Sequence, residues 1–241
     1  MIKLIKLFGI TINLHWSLLL LAAMIAIQVT NAKLPTWFNF AIGLIFAGSI
    51  IISILIHEFA HALVGRRLGV RFSNITLFIF GGAAKMDNEI PSAKAELFMA
   101  AAGPIASFVI YVICKILFIL GIFMGLGEYL LGAIVFNIIY QIGYLNLILA
   151  IFNGCLPLLP LDSGRILRAI VWAITKNYKK ATKIAGNIGI FGGYAFASLG
   201  LFMIFNIHIP FFGTGTSSGI WIGIMGLLIV SMAKAEIKRT E

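Results

Sequence analysis

A polytopic bundle of six membrane-crossing α-helices carrying a small β segment is the fold class this sequence predicts, and three observations lead to it. Of 241 residues, 61% are apolar and 11% charged, against about 45–50% and about 25% in soluble domains. The apolar residues gather into stretches close to the roughly 20 residues that a helix needs to cross about 30 Å of hydrocarbon. The 18 Lys and Arg outnumber the 8 Asp and Glu and fall between those stretches, which makes them a topology signal before anything else. No nucleic-acid partner is expected from them, and the composition excludes a disordered chain.

The spans are expected near residues 13–31, 39–64, 96–123, 137–159, 184–206 and 217–233, in one domain over 1–241. The first follows Lys3 and Lys6 and has the positive flank of a signal peptide. Thr30-Asn31-Ala32 is a poor cleavage site, however, and Ile10 to Leu14 lengthens the run, so a retained helix is expected. Between the second and third spans, Val70 to Met86 is rich in β-branched and aromatic residues and ends in Gly81-Gly82, the pattern of strands with a tight bend. The fourth is broken by Pro157 and Pro160, and the sixth is a short run after a Gly/Thr/Ser loop. Cys114 and Cys155 fall in apolar stretches and form no CxxC pair.

With both termini placed in the cytoplasm, every Lys and Arg except Lys33 and Lys115 lies on the inner side. That asymmetry orients the chain as a multi-pass protein of the cell membrane. Lys115 falls inside the third span and is expected to snorkel outward, toward Glu128.

The second span runs uncharged and then places His57, Glu58 and His61 within the apolar stretch. An ionisable residue there marks a functional site by default, because charge at membrane depth is costly. The spacing is H-E-x-x-H, which puts two imidazoles one turn apart for a single metal and a carboxylate beside it for a bound water. At this chain's own His and Glu frequencies the pattern is expected by chance about 0.002 times. One zinc ion per chain would need a third ligand. His208 lies in an outer loop, and His15 sits at the interface beside Trp16; Cys155 reads as a helix-packing residue.

Asp162 is the better candidate. His57 stands nine residues before Arg66, about 14 Å at 1.5 Å per residue, and Asp162 stands three before Arg165, so both clusters approach the same leaflet. Broken backbone at membrane depth is tolerated where it is buried in protein or lines a wet cavity, which hydrolysis requires. A helix cap or an ion pair with Arg165 or Arg168 is the structural alternative for Asp162. Asn153, one turn before Pro157, carries an amide able to donate to a peptide carbonyl or its oxyanion.

Taken together, NLHWS at 13–17, HEFAHAL at 57–63, LFIFGGAAKM at 77–86, ELFMAAAGPIAS at 96–107 and PLDSGR at 160–165 resemble the site-2 protease family of intramembrane zinc metalloproteases. The likeness is to its compact prokaryotic branch, without a PDZ or cystathionine-synthase-like module. It implies a three-helix catalytic core from the second, third and fourth spans, zinc held by His57, His61 and Asp162, and Glu58 as the base. It also implies a membrane-associated β segment at Gly81 and Gly82 that holds the substrate, a transmembrane protein in the bilayer, with a regulatory membrane partner where one is needed. Two positions depart from the family pattern. Three residues instead of two separate Asn153 from Pro157, which turns Asn153 by about 100°, and Ser163 replaces a Gly.

The activity expected is peptide hydrolysis in the cytoplasmic half of a substrate helix. The rival class is a membrane metal-ion transporter or permease, in which buried His and acidic residues mark an ion path. That class explains neither the H-E-x-x-H spacing nor the Pro-broken segment, and no paired discontinuous helices suggest inverted repeats.

Overall fold

The computed structural model describes residues 2–28, 35–78, 81–209 and 214–240. Two compact units are present: Met1–Pro91 with Ala102–Ile151, and Ser92–Ala101 with Phe152–Glu241.

The first unit opens with a hairpin that the sequence reading did not anticipate, β1 (Ile2–Leu7) and β2 (Ile10–Leu14). Phe8 and Gly9 both have positive φ, 50° and 81°, as a two-residue turn of the primed type requires. Ile10, Ile12 and Leu14 are buried on alternate positions, the period of a half-buried strand. The expected β segment is present as β3 (Phe72–Phe78) and β4 (Gly81–Met86), paired antiparallel with Phe78 opposite Gly81. Residues 79 and 80 of the expected bend lie outside the described residues. β2 pairs with β3 in parallel, giving a four-stranded sheet in the order β1-β2-β3-β4. The β part is therefore larger than the single segment expected.

The helices of this unit are α1 (Trp16–Gln28), α2 (Thr36–Arg67), most of α3 (Ala93–Phe123) and all but the last turn of α4 (Leu130–Cys155). His15 lies at the junction of sheet and helix. Its N–H donates to the Leu77 carbonyl at 2.9 Å, and its Nδ1 accepts from the Ser17 N–H at 3.3 Å, so it caps α1. Gly43 of α2 lies against the Ala26 backbone, where an added Cβ would come within 2.4 Å of the carbonyl oxygen; only a glycine allows that approach.

The second unit holds the first residues of α3 with α5 (Asp162–Thr175), α6 (Tyr178–Ile204) and α7 (Thr216–Thr240). α4 stops at Cys155 because Pro157 disfavours helical geometry in the residue before it. Pro160 has no N–H for the Leu156 carbonyl, which accepts from the Leu158 N–H at 2.6 Å and from the Ser163 hydroxyl. The residue that replaces the family glycine thus adds a second donor to a carbonyl freed by the proline. α6 and α7 pack through small residues: Gly193 and Gly200 of α6 lie against Gly226, Gly219 and Gly223 of α7, the close backbone approach of membrane helix pairs. Leu159, Ala185 and Ala233 form the unit's buried apolar centre.

Five described helices, α2, α3, α4, α6 and α7, are long and apolar enough to cross a bilayer. The expected first span appears as the 13-residue α1, and its continuation over 29–31 lies outside the described residues. The span expected over 137–159 appears as α4, which starts earlier and ends at Cys155, and the amphipathic α5 follows it as a separate helix.

Candidate metal centre

The four-residue spacing places His57 and His61 one turn apart on the buried face of α2, in line with Ser53 and Gly65. Their exposures are 3% and 6%. The rings meet edge to face with centroids 4.9 Å apart, and the two Nε2 atoms are 3.2 Å from one another. Two imidazoles on a tetrahedral zinc, each at about 2.0–2.1 Å, would hold their nitrogens about 3.3 Å apart. The donor chemistry and the spacing fit that metal.

Helix α3 supports the pair. Ser107 is fully buried, and its Oγ is 2.9 Å from His57 Nδ1. With Nδ1–H donating to the hydroxyl, Nε2 keeps its lone pair for a metal, the outer hydrogen bond that ligating histidines commonly have. One turn earlier, Gly103 presents bare backbone to the rings. A Cβ there would fall 2.2 Å from His61 Nε2 and 2.6 Å from His57 Nε2. Neither Gly103 nor Ser107 stands out in the sequence, although both lie in the ELFMAAAGPIAS segment at four-residue spacing.

Glu58 is half-buried and adjoins β4. A Cβ on Gly82 would lie 2.3 Å from Glu58 Cγ and 2.9 Å from its Oε1, so the glycine makes room for the carboxylate. Gly81 has φ +129° with nothing near its Cβ position, a conformation that L side chains rarely adopt.

One turn from His57 on the other side, Ser53 Oγ accepts from Asn146 Nδ2 of α4 at 2.9 Å. Asn146 is buried, and its Oδ1 has no partner among the described residues. Asn153 lies half-buried in the last turn of α4, and Cys155 is exposed at its end.

Within the second unit, Asp162 is the first residue of α5 and is 9% exposed. A carboxylate there faces the positive end of the helix dipole. Gly164 allows the start of α5 to close on the Leu158–Leu159 backbone, where an added Cβ would sit 2.3 Å from Leu159 N. The Arg168 guanidinium is held by Glu96 and Glu236. Outside both units' polar clusters, His208 is exposed.

A histidine pair with an adjacent carboxylate, carried on a helix able to cross a bilayer, marks a multi-pass membrane protein with a metal-binding signature. The profile of Peptidase family M50 matches residues 45–134. The putative zinc metalloprotease Rip3 of Mycobacterium tuberculosis is 30% identical over 97% of this chain and 58% of its own length. The zinc metalloprotease MJ0392 of Methanocaldococcus jannaschii is 35% identical over 78% of this chain and 50% of its own. The chain therefore spans about half the length of the curated relatives it matches. A solved structure, the site-2 protease from Methanocaldococcus jannaschii, superposes with a TM-score of 0.61 at 31% identity, covering 98% of this chain and 94% of that one. The chain belongs to the site-2 protease family.

Proposed function

We propose that the protein is a zinc-dependent intramembrane endopeptidase that cuts transmembrane substrate proteins in the cytoplasmic half of the bilayer. The observation that carries this reading is the pair of buried imidazole nitrogens 3.2 Å apart, with a carboxylate beside them in sequence, on a helix of membrane-crossing length.

His57, His61 and Asp162 would hold the metal. Zinc, when bound, lowers the pKa of a coordinated water toward about 7 and polarises the scissile carbonyl. Glu58 takes the proton from the attacking water and returns it to the leaving amine. Gly82, against Glu58, places the β4 edge beside the base, where an unwound substrate segment would add as a strand along Gly81 and Gly82. Asn153 would donate to the substrate carbonyl. The working unit is one domain over 1–241 of six spans, α1 included, in the cell membrane with both termini cytoplasmic, and a membrane partner would regulate access.

Metal analysis of purified protein, run beside cleavage of single-span substrates, tests the reading. About one zinc per chain and a cytoplasmic product are expected. Metal flux in liposomes without peptidase activity would establish the transporter class instead. Asp162→Asn should weaken zinc binding by more than the roughly 10–100-fold lost with an outer-sphere partner; unchanged occupancy in a competition titration removes Asp162 from the ligand set. Ser107→Ala should lower zinc affinity by about 10-fold or more with the fold intact, as read by the same titration.

A further inference from the structure

The sequence expectation that Lys115 pairs with Glu128 is not met: among the described residues Lys115 has no ion pair or hydrogen bond. It stands eight residues before the end of α3, about 12 Å along the axis, in a helix of mean hydropathy 2.6 over its most apolar window. A lysine within so apolar a stretch, without a counter-ion among the described residues, favours an anionic partner.

The surroundings supply a place for one. α3 and α4 touch at Gly121 against Phe136 and at Gly143 against Cys114. Around the Gly143–Cys114 contact a cavity of about 180 Å³ opens, lined by Lys115, Tyr111, Phe118, Tyr140 and Tyr144. Tyr140 and Tyr144 stack with an interplanar angle of 6°, so their rings form one wall. No described residue hydrogen-bonds the hydroxyls of Tyr111, Tyr140 or Tyr144. Lys115 and the three tyrosines thus border one space, about the size of a lipid headgroup fragment and too small for a helix. Beside it Ile116 and Leu120 are exposed, at 51% and 49%, on the surface where acyl chains would lie.

We propose that this cleft binds the phosphate of an anionic membrane lipid, with Lys115 as its counter-ion and the tyrosine hydroxyls as its donors. The site is separate from the histidine pair: Lys115 lies eight residues beyond Ser107, about 12 Å along α3. A single negative charge on the phosphodiester neutralises the ammonium, and charge-assisted hydrogen bonds of this kind are about twice as strong as neutral ones.

The test uses the full chain in detergent micelles, with phosphatidylglycerol, phosphatidylcholine or inorganic phosphate added, and reads retained lipid by native mass spectrometry and the thermal midpoint. Phosphatidylglycerol is expected to be retained and to raise the midpoint, whereas phosphatidylcholine and inorganic phosphate do neither. Lys115→Met should cut phosphatidylglycerol retention by about tenfold, the scale of one charge-assisted hydrogen bond, while Lys115→Arg keeps it and Tyr144→Phe lowers it. The two milder variants decide the matter if Lys115→Met fails to fold. Equal retention of the two lipids, or wild-type retention in Lys115→Met, overturns the proposal. So does binding of inorganic phosphate alone, or crosslinking at Lys115 to an acidic single-span peptide with no lipid retained.

Discussion

Glu58→Gln is expected to lower peptide cleavage by about 10²–10⁴-fold, the usual contribution of a positioned general base, while zinc content stays at the wild-type level. The amide is close in shape to the carboxylate, so the space left by Gly82 accommodates it and the contact of α2 with β4 persists. What disappears is the capacity to take a proton from the attacking water. Metal retention separates this variant from Asp162→Asn, where occupancy itself should fall. Measuring turnover of a single-span substrate together with zinc per chain settles the assignment: a Glu58→Gln protein that cleaves at the wild-type rate excludes Glu58 as the base, and one that loses its zinc gives Glu58 a different role.

The difference between what the chain reveals in one dimension and what it hides follows the range of the interactions. H-E-x-x-H was legible because both imidazoles belong to one helix and their register is set four residues apart. The β3–β4 pair was legible for the same reason, as its pairing is local and its two glycines open β4. β1 and β2 were not. The alternation of Ile10, Ile12 and Leu14 runs straight into an apolar helix, and the turn places Phe8 at positive φ, where Asn or Gly is the usual signal. The parallel partner of β2 lies some sixty residues away, between Thr11 and Asn74, beyond any local pattern.

The supports of the histidine pair were hidden likewise. Ser107 and Gly103 look like ordinary small residues of a membrane helix until α3 lies against α2. Ser163 looked like a departure from a family glycine and proves to donate to the Leu156 carbonyl. Arg168, which the sequence offers as a partner of Asp162, is held by Glu96 and Glu236.

That engagement gives the largest stability effect expected outside the site. Arg168 and Glu96 are 2% and 0% exposed. Arg168 Nε donates to Glu96 Oε1 at 2.7 Å and its Nη1 to Glu236 Oε1 at 2.8 Å, with the guanidinium 5.1 Å from the centre of the Tyr178 ring. Burial alone would lower the Arg168 pKa, but the charge of Glu96, the influence of Tyr178 and the hydrogen bonds that the guanidinium donates to both carboxylates outweigh it, so the net shift is upward. The ion is locked in its charged form. Arg168→Met should cost about 3–5 kcal/mol, because it strands the Glu96 charge in a site closed to bulk solvent, and Glu96 Oε2 already has no hydrogen-bond partner among the described residues. Glu236, at 30% exposure, has access to solvent and contributes less to the loss. Removing both buried charges together, in Glu96→Leu with Arg168→Met, should recover most of the stability, since buried pairs replaced by apolar residues are often neutral. Thermal unfolding of the single and double variants measures the difference. A single variant as stable as wild type would mean that Glu96 is neutral in the folded protein and that the pair is not an ion pair at all.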